Sequence, residues 1–167
     1  MSKAVLALGA NLGDRAAGLQ AAVDLLAESM TVLAISAIYE TAPVGGPEQP
    51  DYYNAVVVVE TTLSPSELLG VAHAAEAAAD RVRTVRWGPR TLDVDVIAYD
   101  DATSDDPVLT LPHPRAYERA FVLMPWLDAD PRAVLPGHGS VGELLGTVEV
   151  AGVRRLDQPA LRMPKER

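Results

Sequence analysis

Residues 53–63, YNAVVVVETTL, centre on four consecutive valines and read as a strand, and residues 64–82, SPSELLGVAHAAEAAADRV, follow with almost no loop between them. Ser64 and Glu67 make a capping box and Pro65 occupies the first helical position. A strand that runs straight into a capped helix must bring the chain back to the sheet through that helix. The next apolar run, LDVDVIAY (92–99), is where it returns. Upstream, KAVLALG (3–9) reads as a short buried strand. DRAAGLQAAVDLLAES (14–29) reads as a helix with Asp14 as N-cap and Leu19, Val23 and Leu26 on one face. TVLAISAIYE (31–40) is a strand, and TAPVGGPEQPDY (41–52), dense in Pro and Gly, is a long loop.

The order is βαββαβ, which predicts an α+β fold with a ferredoxin-like core: an antiparallel sheet with helices packed on one face. C-terminal additions follow. DDATSDDP (100–107) is an acidic turn and VLTLPHP (108–114) a short strand. RAYERAFVLMPWLDADP (115–131) starts as a helix and ends at its prolines. SVGELLGTV (140–148) is a short helix and GVRRLDQ (152–158) an edge strand. No repeat or linker interrupts the chain, so residues 1–158 read as one domain and 159–167 as a loose tail.

Cysteine is absent, which excludes thiolate chemistry and thiolate zinc sites. No stretch approaches the ~20 apolar residues of a membrane span, and the apolar run at the start is too short for a secretory signal. A cytoplasmic monomer with no membrane partner is expected. The net charge of −9 argues against nucleic acid as a partner. Its distribution says more. No Lys or Arg occurs between Arg15 and Arg81; then Arg81, Arg83, Arg86 and Arg90 arrive together, followed by Arg115 and Arg119. Such a cluster in an acidic chain is either a solvated turn or a site for a localised anion.

Phosphate loops of the usual kind are missing. Lys occurs only at Lys3 and Lys165, so there is no Walker A sequence. GHGSVG (137–142) matches GxGxxG, but it follows a Pro-rich stretch and too little chain remains for a βαβ unit. The arginines instead precede an unusual strand. Asp93 and Asp95 lie two apart in LDVDVIAY, so both carboxylates point to one face, with Cα atoms about 6.5 Å apart. Two such charges repel one another. Either they lie on a solvent-facing edge, or a divalent cation neutralises them; magnesium takes one or two carboxylates plus substrate phosphates. Carboxylates for metal and guanidinium groups for phosphate, within fifteen residues, suit phosphoryl-type transfer without a P-loop. A nucleotide-sugar or nucleotidyl transferase with paired aspartates, or a non-catalytic ferredoxin-like module, is compatible with the same residues.

RVRTVRWGPRTLDVDVIAYD (81–100) closely resembles the signature of the 6-hydroxymethyl-7,8-dihydropterin pyrophosphokinase family. LALGANLGDR resembles that family's first strand and turn, YETAPVGGPEQPDYYNAVV its pterin loop and following strand, and LPHPRAYERAFVLMPW its nucleotide-side segment. Together they cover most of residues 4 to 128. The resemblance implies a ferredoxin-like fold and transfer of the ATP diphosphoryl group to the 6-hydroxymethyl group of the dihydropterin, with AMP released, in folate synthesis. ATP and the hydroxymethyl-dihydropterin are the implied substrates and two Mg²⁺ ions the implied cofactors. Asp93 and Asp95 become the metal ligands, and with Arg81 and Arg90 the catalytic residues. Glu76, Arg81, Arg83, Arg90, Thr110, His113 and Arg119 fall to the ATP side. Thr41, Ala42, Val44, Tyr52, Asn54, Trp87 and Phe121 fall to the pterin side. Ala10 stands where the family usually has Ser, Val108 where some members have Arg, and the stretch between Arg83 and Trp87 lacks a Lys that some members carry.

Overall fold

The computed structural model describes residues 1–42, 49–80 and 92–164. Strand β1 (Ser2–Ala10) turns into helix α1 (Arg15–Leu26), whose N-cap is Asp14: its Oδ1 accepts the Ala17 N–H at 3.1 Å. Strands β2 (Thr31–Ile35) and β3 (Ile38–Thr41) follow, then β4 (Tyr52–Thr61), helix α2 (Pro65–Asp80) and β5 (Asp93–Tyr99). The capping box of α2 forms as its sequence predicts. Glu67 N–H donates to Ser64 Oγ at 3.2 Å, and Ser64 N–H donates to Glu67 Oε1 at 2.9 Å.

Residues 31–40, read as one strand, are two, and the second runs on to Thr41. The break lies at Ser36 and Ala37, where side chains take over part of the ladder. Ser36 Oγ accepts the Val56 N–H at 2.9 Å, and Asp128 Oδ2 accepts the Ala37 N–H at 2.8 Å. Both pieces pair with β4, which also pairs with β1; β1 in turn pairs with β5. Every pairing is antiparallel. Each crossover helix therefore skips one strand, which is the split βαβ arrangement of a ferredoxin-like core.

Beyond β5 come the hairpin β6 (Ser104–Asp106) and β7 (Leu109–Leu111), a 3₁₀ turn at Ala116–Glu118, and helix α3 (Ala120–Ala129). A second hairpin, β8 (Val134–Leu135) and β9 (Gly139–Ser140), precedes helix α4 (Val141–Leu145). Strand β10 (Val153–Leu156) then joins the sheet edge beside β3. Helix α3 does not stop at its first proline: Pro125 lies inside it. The missing N–H costs a helical hydrogen bond. Val122, Leu123, Pro125 and Trp126 are all buried, and that burial outweighs the loss.

The placement of α3 corrects one expectation. Helices cover both sheet faces, not one. On the first face Leu19, Val23 and Leu26 of α1 and Leu68 and Ala72 of α2 pack on Leu6, Leu8, Val57, Val59, Val94 and Val96. On the second, Val122, Leu123 and Trp126 of α3 and Val141 of α4 pack on Val5, Val56, Val58 and Ile97. Burial on both faces explains why β4 is a continuous apolar run and not an alternating one. Beyond β10 the chain returns along α1. The Gln20 side chain donates to the Arg162 carbonyl at 3.0 Å and accepts from its N–H at 2.8 Å. Among the described residues no helix is long and apolar enough to cross a membrane.

Candidate active site

Strand alternation sends Val94 and Val96 of β5 into the core beneath α1 and α2, so Asp93 and Asp95 face the α3 side. Helix α3 covers only part of that side. Where it begins, at Arg119 and Phe121, the sheet is left open. The carboxylates consequently stay out of the core, Asp93 half-buried and Asp95 exposed. Behind them Glu76 of α2 fixes the strand, its Oε2 accepting the Val94 N–H at 2.9 Å.

The open sheet face is the floor of a cleft of about 240 Å³. Its central row runs across three strands: Asn54 of β4, Gly9 of β1 and Asp93 of β5 are cross-strand partners. The next row is Val56, Ala7 and Asp95. Thr41, Ala42 and Tyr52 form one wall, and Arg119, Phe121 and Val122 the other. Asn54 is buried, and its Nδ2 donates to Thr41 Oγ1 at 2.9 Å, which fixes how the amide faces the cleft. Ala7 and Gly9 were not anticipated as site residues. A Cβ on Gly9 would stand 3.2 Å from Asn54 Oδ1, so glycine keeps the floor flat and the amide oxygen accessible. The signal was present in β1, whose second face is small while Leu6 and Leu8 fill the first.

A second cleft of about 290 Å³ lies on the other side of β5, lined by Glu76, Asp95, Thr110 and His113. Asp95 belongs to both clefts. Thr110 donates its hydroxyl to the Asp106 carbonyl at 3.0 Å. The His113 N–H donates to the Ile97 carbonyl at 2.8 Å, and its Nδ1 accepts the Arg115 N–H at 3.2 Å. In the neutral ring the proton is therefore on Nε2. Burial pushes the His113 pKa below its ordinary value; Asp95 pulls it up, and Arg119 and Arg115 push it down. With the folded pKa depressed, the neutral ring contributes stability that is fully present above the unfolded pKa of about 6.5. That contribution is lost as pH falls through the folded value. Acid unfolding of His113→Asn should accordingly be less steep than that of wild type as pH falls below about 6.5. An imidazole titration by NMR that shows an ordinary or raised pKa would contradict this.

The sequence-derived pterin set is thus gathered in one cleft for Thr41, Ala42, Tyr52, Asn54 and Phe121, and the ATP set in the other for Glu76, Thr110 and His113. Arg119 is the exception. It lines the first cleft, its guanidinium 5.5 Å from the Phe121 ring centroid. Val44, Arg81, Arg83, Trp87 and Arg90 lie outside the described residues.

Two hard oxygen donors on one face fit a magnesium ion. Among the described residues no cluster of three or more His, Asp or Glu side chains gathers around a point. The pair therefore suits an ion that completes its shell with substrate oxygens and water, not a dedicated protein cage.

Residues 5–131 match the sequence family described as 7,8-dihydro-6-hydroxymethylpterin-pyrophosphokinase (HPPK). The chain is 44% identical to the 2-amino-4-hydroxy-6-hydroxymethyldihydropteridine pyrophosphokinase of Methylorubrum extorquens, over 94% of this chain and 100% of that protein. It is 45% identical to the protein of the same name from Mycobacterium tuberculosis, over 90% of this chain and 86% of the relative. Among solved structures, the wild-type HPPK-DHPS of Plasmodium falciparum with SDX-DHP superposes with a TM-score of 0.71 at 15% identity. That match covers 87% of this chain but only 44% of the longer protein, and supports the fold alone.

Proposed function

The chain belongs to the 7,8-dihydro-6-hydroxymethylpterin-pyrophosphokinase family, whose members act in folate biosynthesis, and we propose that its two clefts hold the two substrates of that reaction. The protein is a diphosphotransferase that moves the diphosphoryl group of ATP onto hydroxymethyldihydropterin. One observation carries the assignment: Asp95 is common to a flat-floored cleft with an amide and an aromatic ring, and to a second cleft with polar and imidazole groups. In this reading the pterin lies on Gly9 and Ala7, with Asn54 reading its amide-like edge and Phe121 against its ring face. ATP extends from Asp95 toward Glu76, Thr110 and His113.

The substrate's hydroxymethyl oxygen attacks the β-phosphorus. The bond from that phosphorus to the α,β-bridging oxygen breaks, AMP leaves, and the hydroxyl proton is released. Asp93 and Asp95 would hold Mg²⁺, which would neutralise phosphate charge and lower the pKa of the attacking hydroxyl. The protein's own contribution is to orient the two substrates across β5, so that the reacting atoms meet at the carboxylate pair. Arg119, in the wall of the first cleft, would carry its charge toward the transferring phosphate, with Arg81, Arg83 and Arg90 as the further guanidinium groups of the sequence reading. Val44 and Trp87 complete the proposed pterin side. A monomer that acts in the cytoplasm completes the proposal.

Purified protein with Mg-ATP and hydroxymethyl-dihydropterin should release AMP in proportion to pterin diphosphate. Release of pyrophosphate in place of AMP would overturn the proposal. Asn54→Ala should weaken pterin binding by about 1–3 kcal/mol, the worth of a polar contact in a buried setting. Mg-ATP affinity should stay within about twofold, because Asn54 lies in the first cleft only. Calorimetry with each ligand separately checks this; a loss confined to ATP would reverse the two sides.

A further inference from the structure

The residues of the pterin-side wall come from the ends of two paired strands, and a single arginine behind the sheet joins those ends. Thr41 pairs with Tyr52 and Glu40 with Tyr53 across β3 and β4. Alternation puts Thr41, Tyr52 and Asn54 on the cleft face, and Glu40 and Tyr53 on the reverse, where Tyr53 packs beside α1. Arg15, the first residue of α1, reaches all of this reverse side at once. Its Nη1 donates to the Asp51 carbonyl at 2.8 Å, and its guanidinium carbon stands 3.9 Å from the Tyr53 ring centroid. The same Nη1 lies 3.8 Å from Glu40 Oε2. Glu40 also pairs with Arg154 of β10, so the contact is part of a network and not an isolated surface pair.

We propose that Arg15 is a positioning residue for the pterin side of the site: one guanidinium ties the last turn-forming positions of β3 and the first of β4, and so holds Thr41, Tyr52 and Asn54 in register. A second tether from the same turn acts alongside it. Asn11, fully buried, donates from Nδ2 to Gln49 Oε1 at 2.8 Å and to the Pro50 carbonyl at 3.5 Å. The chain returning into β4 is therefore gripped at Gln49 and Pro50 by the turn between β1 and α1, and at Asp51 by the first residue of α1. A planar guanidinium is suited to this because it stacks on a ring and donates in its own plane at once; an ammonium does one or the other. Arg15 touches neither cleft, and its effect must pass through the strands.

This inference rests on the reading of the first cleft as the pterin side. The test measures pterin and Mg-ATP-analogue binding separately in wild type, Arg15→Met and Arg15→Lys, with thermal melts of each. Met keeps the aliphatic stem on Tyr53, so the variant folds without the charge. Arg15→Met should raise the pterin Kd and KM about tenfold, with kcat and the ATP Kd within about twofold of wild type. Arg15→Lys should fall between, since it keeps the charge beside Glu40 but not the planar group stacked on Tyr53. Pterin affinity unchanged in Arg15→Met, or equal weakening of both ligands, overturns the inference. Wild-type protein that binds no pterin at all would instead overturn the assignment of the cleft.

Discussion

Asp95→Asn should lower kcat about a thousandfold, equivalent to about 4 kcal/mol of transition-state stabilisation. Its unliganded stability should equal or slightly exceed that of wild type. The two halves of this expectation come from one fact. Asp95 is exposed on a sheet face that α3 leaves open, so the carboxylate supports no part of the core. Removing its charge relieves repulsion from Asp93. In the working complex the same charge stands where both clefts meet, and an amide cannot replace it as a hard anionic donor. Asp93→Asn should have a smaller effect on turnover, because Asp93 lines the first cleft alone. Steady-state AMP release at saturating Mg²⁺, with melting curves of the unliganded proteins, measures both quantities. Turnover of Asp95→Asn within about tenfold of wild type would remove the carboxylate pair from the chemistry.

The strand order follows from local signals that are strong because they are redundant. The capping box at Ser64 and Glu67 and the N-cap at Asp14 fix where helices begin, and β-branched runs fix β2, β4 and β5. The break at Ser36–Ala37 was not legible, because it depends on Asp128, more than ninety residues away. The second helical layer was not legible for a related reason. The run from Ala55 to Val59 is apolar on both faces, which states that something covers the second face, but not that α3 does.

The site divides in the same way. The same-face geometry of Asp93 and Asp95 follows from strand period alone, and the motif resemblance supplied the side on which most other residues fell. Gly9 and Ala7 escaped because a floor is defined by what is missing: their role appears only once Asn54 and Asp93 stand on either side of them. The resemblance puts Arg119 on the nucleotide side; in the fold it lines the first cleft, beside Phe121, where the 3₁₀ turn before α3 carries it.

Leu123→Ala should lower stability by about 2–5 kcal/mol and also weaken pterin binding, although Leu123 touches no ligand. Leu123 is fully buried in the second core, among Val56, Val58 and Ile97. Truncation removes its methyl contacts and leaves a cavity that rigid strands cannot fill. What distinguishes this site from other core leucines is the element it anchors. Helix α3 starts at Ala120, directly after Arg119, and Arg119, Phe121 and Val122 are one wall of the first cleft. A loosened α3 therefore frees the ring and the guanidinium, and the bound pterin must order them again. Leu26→Ala supplies the comparison: Leu26 is equally buried, but it lies in the first core at the far end of α1 from Arg15. Denaturant unfolding should give similar losses for the two variants with unchanged slope. Pterin affinity, measured well below either transition, should fall several-fold in Leu123→Ala only. Equal pterin affinity in both variants would mean that the wall is held from the sheet, and that α3 merely covers it.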